Sequence, residues 1–258
     1  MLDEVVILIL SGLGSGLLAG VLGIGGGTVL VPLLLAFDYT SLQAIATSSL
    51  AIFITSSAGS IQNWRMGYLD FQRVILLGIP ALITTQFGVL VANRIPEFIL
   101  LTAFACMLIF NIFLSNLRRQ LVTTPHQVSE VRLSEKVACL LTGVIVGFLA
   151  GLFGIGGGVI MVPLQMLLLK EEIKVAIQTS LGVIVITSIS SCFGHALNNN
   201  VVWLVGITLG FGGLIGVQFS TRFLPRLPDK VVRFCFYAML AMLSVYTFWK
   251  AWNVYNGN

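Results

Sequence analysis

Long apolar runs joined by short polar stretches make up this chain, and the runs have helical length. They reach about 20 residues, the length a helix needs to cross roughly 30 Å of hydrocarbon. They lack the apolar/polar alternation of a membrane barrel. The pattern predicts a broken segment over Val5–Phe37 and three spans over Ser41–Gln62, Phe71–Ala92 and Phe98–Ser115. The same order follows in the second half: a broken segment over Val137–Leu169, then spans over Ile173–Leu197, Val201–Leu224 and Val231–Trp249. The joints carry helix-start and turn residues, as in DYTS from Asp38, NWRMGYLD from Asn63 and NRIPE from Asn93. Only residues 116–136 form a long polar stretch, which divides the chain into a first repeat (1–115), a linker (116–136) and a second repeat (137–258).

Both broken segments contain the same interruption. GLGSGLLAGVLGIGGGTVLVP from Gly12 recurs as GVIVGFLAGLFGIGGGVIMVP from Gly143, at an offset of 131. Further along, TSSL from Thr47 matches QTSL from Gln178, GIPALITTQF from Gly78 matches GFGGLIGVQF from Gly210, and RIPE from Arg94 matches RLPD from Arg226. Two equivalent halves are a common plan for secondary transporters, with the substrate held between them at the bilayer midplane.

Composition narrows the class. Of the residues, 57% are apolar and 9% charged, against roughly 25% charged in soluble domains. An all-α, polytopic membrane protein is expected, with the lipid bilayer as its surroundings. The net charge of +4 is spread over short loops and sets topology, so no nucleic-acid partner is expected. Asp3 and Glu4 stand where a secretory signal carries basic residues, and no cleavage is expected. The four cysteines lie in apolar runs without ligand spacing, so neither a metal nor a cofactor is expected.

Charge also decides how the halves are arranged. If each broken segment crossed the membrane once, the 14 basic residues would divide seven to seven. If each instead enters and returns as a hairpin, twelve share one side and only Arg94 and Lys250 take the other. Cytoplasmic loops collect Lys and Arg. The hairpin arrangement therefore predicts two inverted repeats, a cytoplasmic linker and both termini outside the cell membrane. Its arms are unequal, about 18 and 11 residues around GIGGG, so the first arm can itself be a full span.

A backbone that leaves its helix at membrane depth is tolerated only where protein or water surrounds it. A helix restarting after such a break presents free N–H groups and a partial positive charge to an anion. Gly25, Gly26, Gly27 and Thr28, with Gly156, Gly157 and Gly158, are accordingly candidate substrate-binding residues, and Val159 stands where the first copy has Thr28. If φ is negative at Gly26 and Gly157, alanine there is expected to leave the fold intact. Gly12, Gly16 and Gly20, with Gly143, Gly147 and Gly151, form four-residue stripes that read as helix packing.

The second span of each half adds hydroxyls. Ser49, Ser56 and Ser60 match Ser180, Thr187 and Ser191, each trio on one helical face. Thr47, Ser48 and Ser49, with Gln178, Thr179 and Ser180, lie near the helix starts within reach of the glycine turns. Bonding back to their own helix carbonyls is the alternative. Gln86 and Gln218 are either interhelical bonds or pore-lining groups. His195 is either a pore-lining proton carrier or an ordinary interfacial histidine.

The doubled GxxxGxxAGxxGIGGGxxxVP, the T-S-L after it and the R-x-P-[DE] of each half resemble the sulfite exporter TauE/SafE family over nearly the whole chain. The resemblance implies a permease moving sulfite, organosulfonates or related sulfur oxyanions, with Gly25–Gly27 and Gly156–Gly158 matching the signature. An enzyme is not expected, because the spans hold no nucleophile with a base and no paired carboxylates. A passive channel, or a permease for another carboxylate or oxyanion, is the rival reading; a homodimer is compatible with the sequence and not required by it.

A cysteine placed at His126 in the linker is expected to react with a membrane-impermeant thiol reagent only after cells are opened. Reaction on intact cells overturns the predicted orientation.

Overall fold

The computed structural model describes residues 2–23, 25–123 and 134–255, and every regular element among them is helical. In chain order they are α1 (Leu2–Leu22), α2 (Gly27–Ala36), α3 (Ser41–Arg65), α4 (Phe71–Ala92), α5 (Glu97–Thr123), α6 (Glu135–Phe153), α7 (Gly158–Leu168), α8 (Ile173–Ala196), α9 (Trp203–Phe223) and α10 (Asp229–Tyr255). A short 3₁₀ turn, Leu224–Arg226, follows α9. Among the described residues, seven helices are long and apolar enough to cross a membrane: α1, α3, α4, α6, α8, α9 and α10. Helix α5 continues to Thr123, so part of the polar stretch from Asn116 is helical. Residues 124–133 of the expected linker, and Ile24 within the first GIGGG, lie outside the described residues.

Local signals set several boundaries. Thr40 and Gln43 form a capping box, each side chain accepting the other's backbone N–H (3.3 and 3.2 Å), which starts α3. Asp70 caps α4 by accepting from Arg73 N at 3.2 Å. Gly23 and Gly154 end α1 and α6 at φ 68° and 64°, donating to Ala19 and Ala150 carbonyls at 2.8 and 2.9 Å.

The halves are interlocked. Helix α1 packs against α9, while its counterpart α6 packs against α4; α3 packs against α9, and α8 against α4. Each broken segment therefore finds its main partner in the other half. The glycine stripes make this possible. A β-carbon on Gly12 or Gly16 would collide with the carbonyls of Leu209 or Gly213, and one on Gly143, Gly147 or Gly151 with those of Leu77, Ala81 or Thr85. Backbones this close are the geometry that small residues permit in membrane helix pairs.

Residue pairings give the directions. Gly12, Gly16 and Gly20 meet Leu209, Gly213 and Ser220 in order, so α1 and α9 run parallel. Gly143, Gly147 and Gly151 meet Leu77, Ala81 and Thr85, so α6 and α4 are parallel too. The central pair is antiparallel, because Ser49 of α3 hydrogen-bonds Ser191 of α8 at 2.9 Å while Gly59 packs on Leu181. The matched helices α3 and α8 thus point in opposite directions. After α1 the chain doubles back, so that Gly26 lies against Ser15, and α2 returns toward the end where α1 began. The arms are unequal, 21 residues in α1 and 10 in α2, and 19 in α6 and 11 in α7.

The same directions gather charges at one end of the bundle. Arg65, Arg73, Lys136, Lys174, Arg222 and Arg226 cluster at the end where α3 and α9 finish and α4, α6 and α8 begin. There Arg73 pairs with the buried Glu171 and with Glu135 at 3.4 Å, tying α4 to the start of α6 and to the joint before α8. Burial pushes the Glu171 carboxyl above the usual range, against the opposing pull of Arg73. Arg94 and the C-terminal part of α10 with Lys250 belong to the opposite end.

Alanine at Gly16 or Gly147 is expected to destabilise the protein by about 1–3 kcal/mol, because the methyl meets backbone that cannot yield. Thermal unfolding in detergent checks this, with alanine at Gly14, which has open space around it, as the silent control.

Candidate functional site

The two glycine turns meet at the centre of the bundle. Ile52 and Ile184 sit near the middles of α3 and α8, and both turns pack on both residues. A β-carbon on Gly25 would lie 2.9 Å from Ile184 Cγ2 and 3.0 Å from Ile52 Cγ2; on Gly156 the values are 2.7 and 3.2 Å. Gly27 approaches the second turn directly, its β-carbon position 2.7 Å from Ile155 Cα. Gly25–Thr28 and Gly156–Val159 are buried throughout.

The glycines of the motif have separate reasons. Gly23, Gly25 and Gly26 hold φ of 68°, 67° and 82°, and Gly154, Gly156 and Gly157 hold 64°, 68° and 79°. This left-handed region costs other residues roughly 1–2 kcal/mol each. Gly27 has ordinary helical backbone and is small because Ile155 and Ile52 crowd it. The expectation that alanine at Gly26 and Gly157 leaves the fold intact is therefore corrected. Besides the positive φ, a methyl at Gly26 would strike Ser15 Oγ, and one at Gly157 would strike Val146.

Breaking a helix frees carbonyl oxygens, and four hydroxyls serve them here. Ser180 donates to Gly23 O at 2.6 Å and Ser48 to Gly154 O at 2.9 Å, a crossed pair in which each half's long helix holds the other half's turn. Ser15 donates to Gly26 O at 3.0 Å and Thr187 to Gly156 O at 2.8 Å. Within the restarted helix, Val29 N and Leu30 N reach Gly26 O at 3.1 Å. Gly27 and Thr28 precede them, where helix geometry offers an N–H no intrahelical acceptor. The Thr28 hydroxyl is fully buried and has no partner among the described residues. The turns thus present hydrogen-bond donors and two helix N-termini, with the carbonyls of Gly23, Gly26, Gly154 and Gly156 already engaged.

This geometry revises the pairing of the two halves by one residue. Ile45, Ser48, Ile52 and Thr55 take the places of Ile177, Ser180, Ile184 and Thr187, an offset of 132 in place of 131. The extra residue lies before α8, since α7 is one residue longer than α2. Ser49, Ser56 and Ser60 are therefore not the counterparts of Ser180, Thr187 and Ser191. Ser49 instead bonds Ile45 O and Ser191, both at 2.9 Å, and Ser56 its own helix at Phe53 O, at 3.4 Å.

Other expected residues lie elsewhere. Thr47 accepts from Val202 N at 3.0 Å at the start of α9, away from the turns. Gln178 and Thr179 are buried on α8. Gln86 donates to Ser190 O and Oγ, both at 2.7 Å, and Gln218 to Ala58 O at 3.5 Å, so both amides bridge helices. His195 is fully buried one residue before the end of α8, and its Nε2 lies 3.2 Å from Gly151 O on the arm leading to the second turn. Ser15 was not legible as a site residue; its one signal is that it is the hydroxyl set among the glycines of α1.

Long apolar helices, two interlocked halves and a broken backbone held at the bundle centre define a multi-pass membrane transporter rather than a soluble binding module. Sequence comparison names the family: the chain belongs to the sulfite exporter TauE/SafE family, whose pattern matches residues 8–247. It is similar to a probable membrane transporter protein of Methanocaldococcus jannaschii, 28% identical over 85% of this chain and 88% of that one. It is likewise similar to the probable membrane transporter protein YunE of Bacillus subtilis, 28% identical over 84% of this chain and 89% of that one. No solved structure matches the chain significantly.

Ser48→Ala and Ser180→Ala are each expected to cost about 1–3 kcal/mol, since each strips a donor from a buried turn carbonyl. Gly26→Ala is expected to lower the melting temperature as well. Unfolding midpoints measured without ligand check all three.

Proposed function

We propose that this protein is a secondary transporter, working as an exporter, for a small sulfur-containing anion such as sulfite or an organosulfonate. The anion binds at the midplane between the two glycine turns. The halves act as inverted repeats in the cell membrane, with the linker in the cytoplasm and both termini outside. What supports the orientation is the gathering of basic side chains at one end of the bundle.

One observation carries the site: the buried, partnerless Thr28 hydroxyl at the start of α2, beside turns whose carbonyls are engaged by Ser15, Ser48, Ser180 and Thr187. A buried hydroxyl without a partner costs about 1–3 kcal/mol, and an anionic oxygen at the helix start would accept its proton along with the N–H groups of Gly27 and Thr28. Ile52 and Ile184 cover the turns, so access requires these two side chains to move. A core filled in this way argues against a continuously open channel. Acidic residues within the described spans stay near helix ends, which leaves the membrane potential, about 2.3 kcal/mol per charge per 100 mV, to drive an anion outward.

Thr28→Val keeps the shape and removes the hydroxyl. It is expected to leave the melting temperature unchanged or raised while weakening anion binding by about tenfold, the worth of one charge-assisted hydrogen bond. Calorimetry on purified protein against sulfite, thiosulfate, sulfoacetate, sulfate and lactate, with counterflow in proteoliposomes, tests the reading. Normal binding by Thr28→Val removes the proposed site, and flux without counterflow makes the protein a channel.

A further inference from the structure

Buried polar groups without partners mark the remaining unexplained chemistry, and some of them fall at equivalent positions. Asn63 of α3 and His195 of α8 are separated by the corrected offset of 132, and both are fully buried. Among the described residues, neither amide atom of Asn63 has a partner, nor has His195 Nδ1. Ser60, one turn before Asn63 on the same side of α3, is 9% exposed and also lacks a partner. Such atoms in native proteins signal water, an ion or a ligand.

Their placement is directional. Asn63 and His195 each stand eleven residues beyond the central isoleucine of their helix, Ile52 or Ile184, which is about 16 Å of helical rise. Because α3 and α8 run antiparallel, the two positions lie on opposite sides of the turns. On α8 a polar row leads from the turn outward: Thr187 on Gly156 O, then Ser191, then His195, at four-residue steps along one face. On α3 the row is Ser56, Ser60 and Asn63.

The chemistry of the two positions differs. Gly151 O can only accept, so His195 Nε2 carries the hydrogen, and the open Nδ1 of the neutral ring is a lone pair. It receives a donor, such as a water or the hydroxyl of a monoprotonated oxyanion. Asn63 and Ser60 both donate and accept.

We infer that Ser60 with Asn63, and His195, are two flanking stations for a small hydroxyl-bearing or hydrated oxyanion, one on either side of the glycine turns. The identity of the cargo rests on the proposed function; the position of the stations does not.

The test separates the two. In a background with Cys106, Cys139, Cys192 and Cys235 replaced, Asn63→Cys and His195→Cys are placed singly in sealed membrane vesicles of known orientation and exposed to an anionic sulfonatoethyl methanethiosulfonate. Reaction from opposite faces, Asn63→Cys from the cytoplasmic one, is expected. No reaction at either position, or reaction of both from one face, overturns the stations whatever the protein transports. Asn63→Leu, of similar volume, supplies the second measurement. An amide kept for a passing ligand should raise the melting temperature when replaced and, with sulfite as probe, lower apparent affinity by about tenfold. A fall in melting temperature makes Asn63 a packing residue and overturns its station. Loss of sulfite protection against labelling, with opposite-face reaction intact, counts against sulfite as cargo and not against the stations.

Discussion

A backbone that stops being helical inside a hydrocarbon slab exposes polar groups that lipid cannot satisfy, and the rest of this structure depends on how that is solved. The turn carbonyls of Gly23, Gly26, Gly154 and Gly156 each receive a hydroxyl, two of them from the long helix of the opposite half. The break in one half is thus stabilised by the other. With these four carbonyls engaged, the turns still offer N–H and O–H donors, the character an anion requires.

The crossed tethers work because the halves interlock. Stripes of glycine along α1 and α6 bring those helices against the backbones of α9 and α4, and the close approach places Ser180 beside the first turn and Ser48 beside the second. Packing and polar satisfaction meet at the turns themselves, where Gly23 lies against Ile177 and Ser180 and Gly154 against Ile45. The symmetry is incomplete where chemistry differs. Thr28 faces Val159 across the pseudo-equivalence, Ser15 faces Val146, and Asn63 faces His195, so the two turns and the two flanking positions offer unlike groups to whatever passes between them.

Outside the centre, the ends of the bundle are held by contacts to carboxylates. Arg73 joins the start of α4 to Glu135 and to the buried Glu171, and Ser41 at the start of α3 donates twice to Glu97 at the start of α5, at 2.8 and 2.6 Å. These ties join segments at opposite ends of the bundle and leave the glycine turns between them as the place where the backbone is least regular.

The sequence by itself determined the helical membrane class, the two halves, the packing role of the glycine stripes and the family, because long apolar runs, a doubled motif and four-residue spacing are local patterns that survive without coordinates. It also singled out GIGGG, since consecutive glycines in an apolar run have no propensity reason to be there. It left open which hydroxyls serve the turns. Ser48, Ser49, Ser56 and Ser60 read alike along one helix, and the one extra residue of α7 relative to α2 displaces the match by about 100° around that helix. Only the tertiary structure settled that register, because Ser48 is identified by the carbonyl it reaches 106 residues away. The same holds for Ser15, for the positive φ that strains alanine at Gly26, and for Asn63, whose equivalence to His195 follows from the register that the contacts of the turns fix.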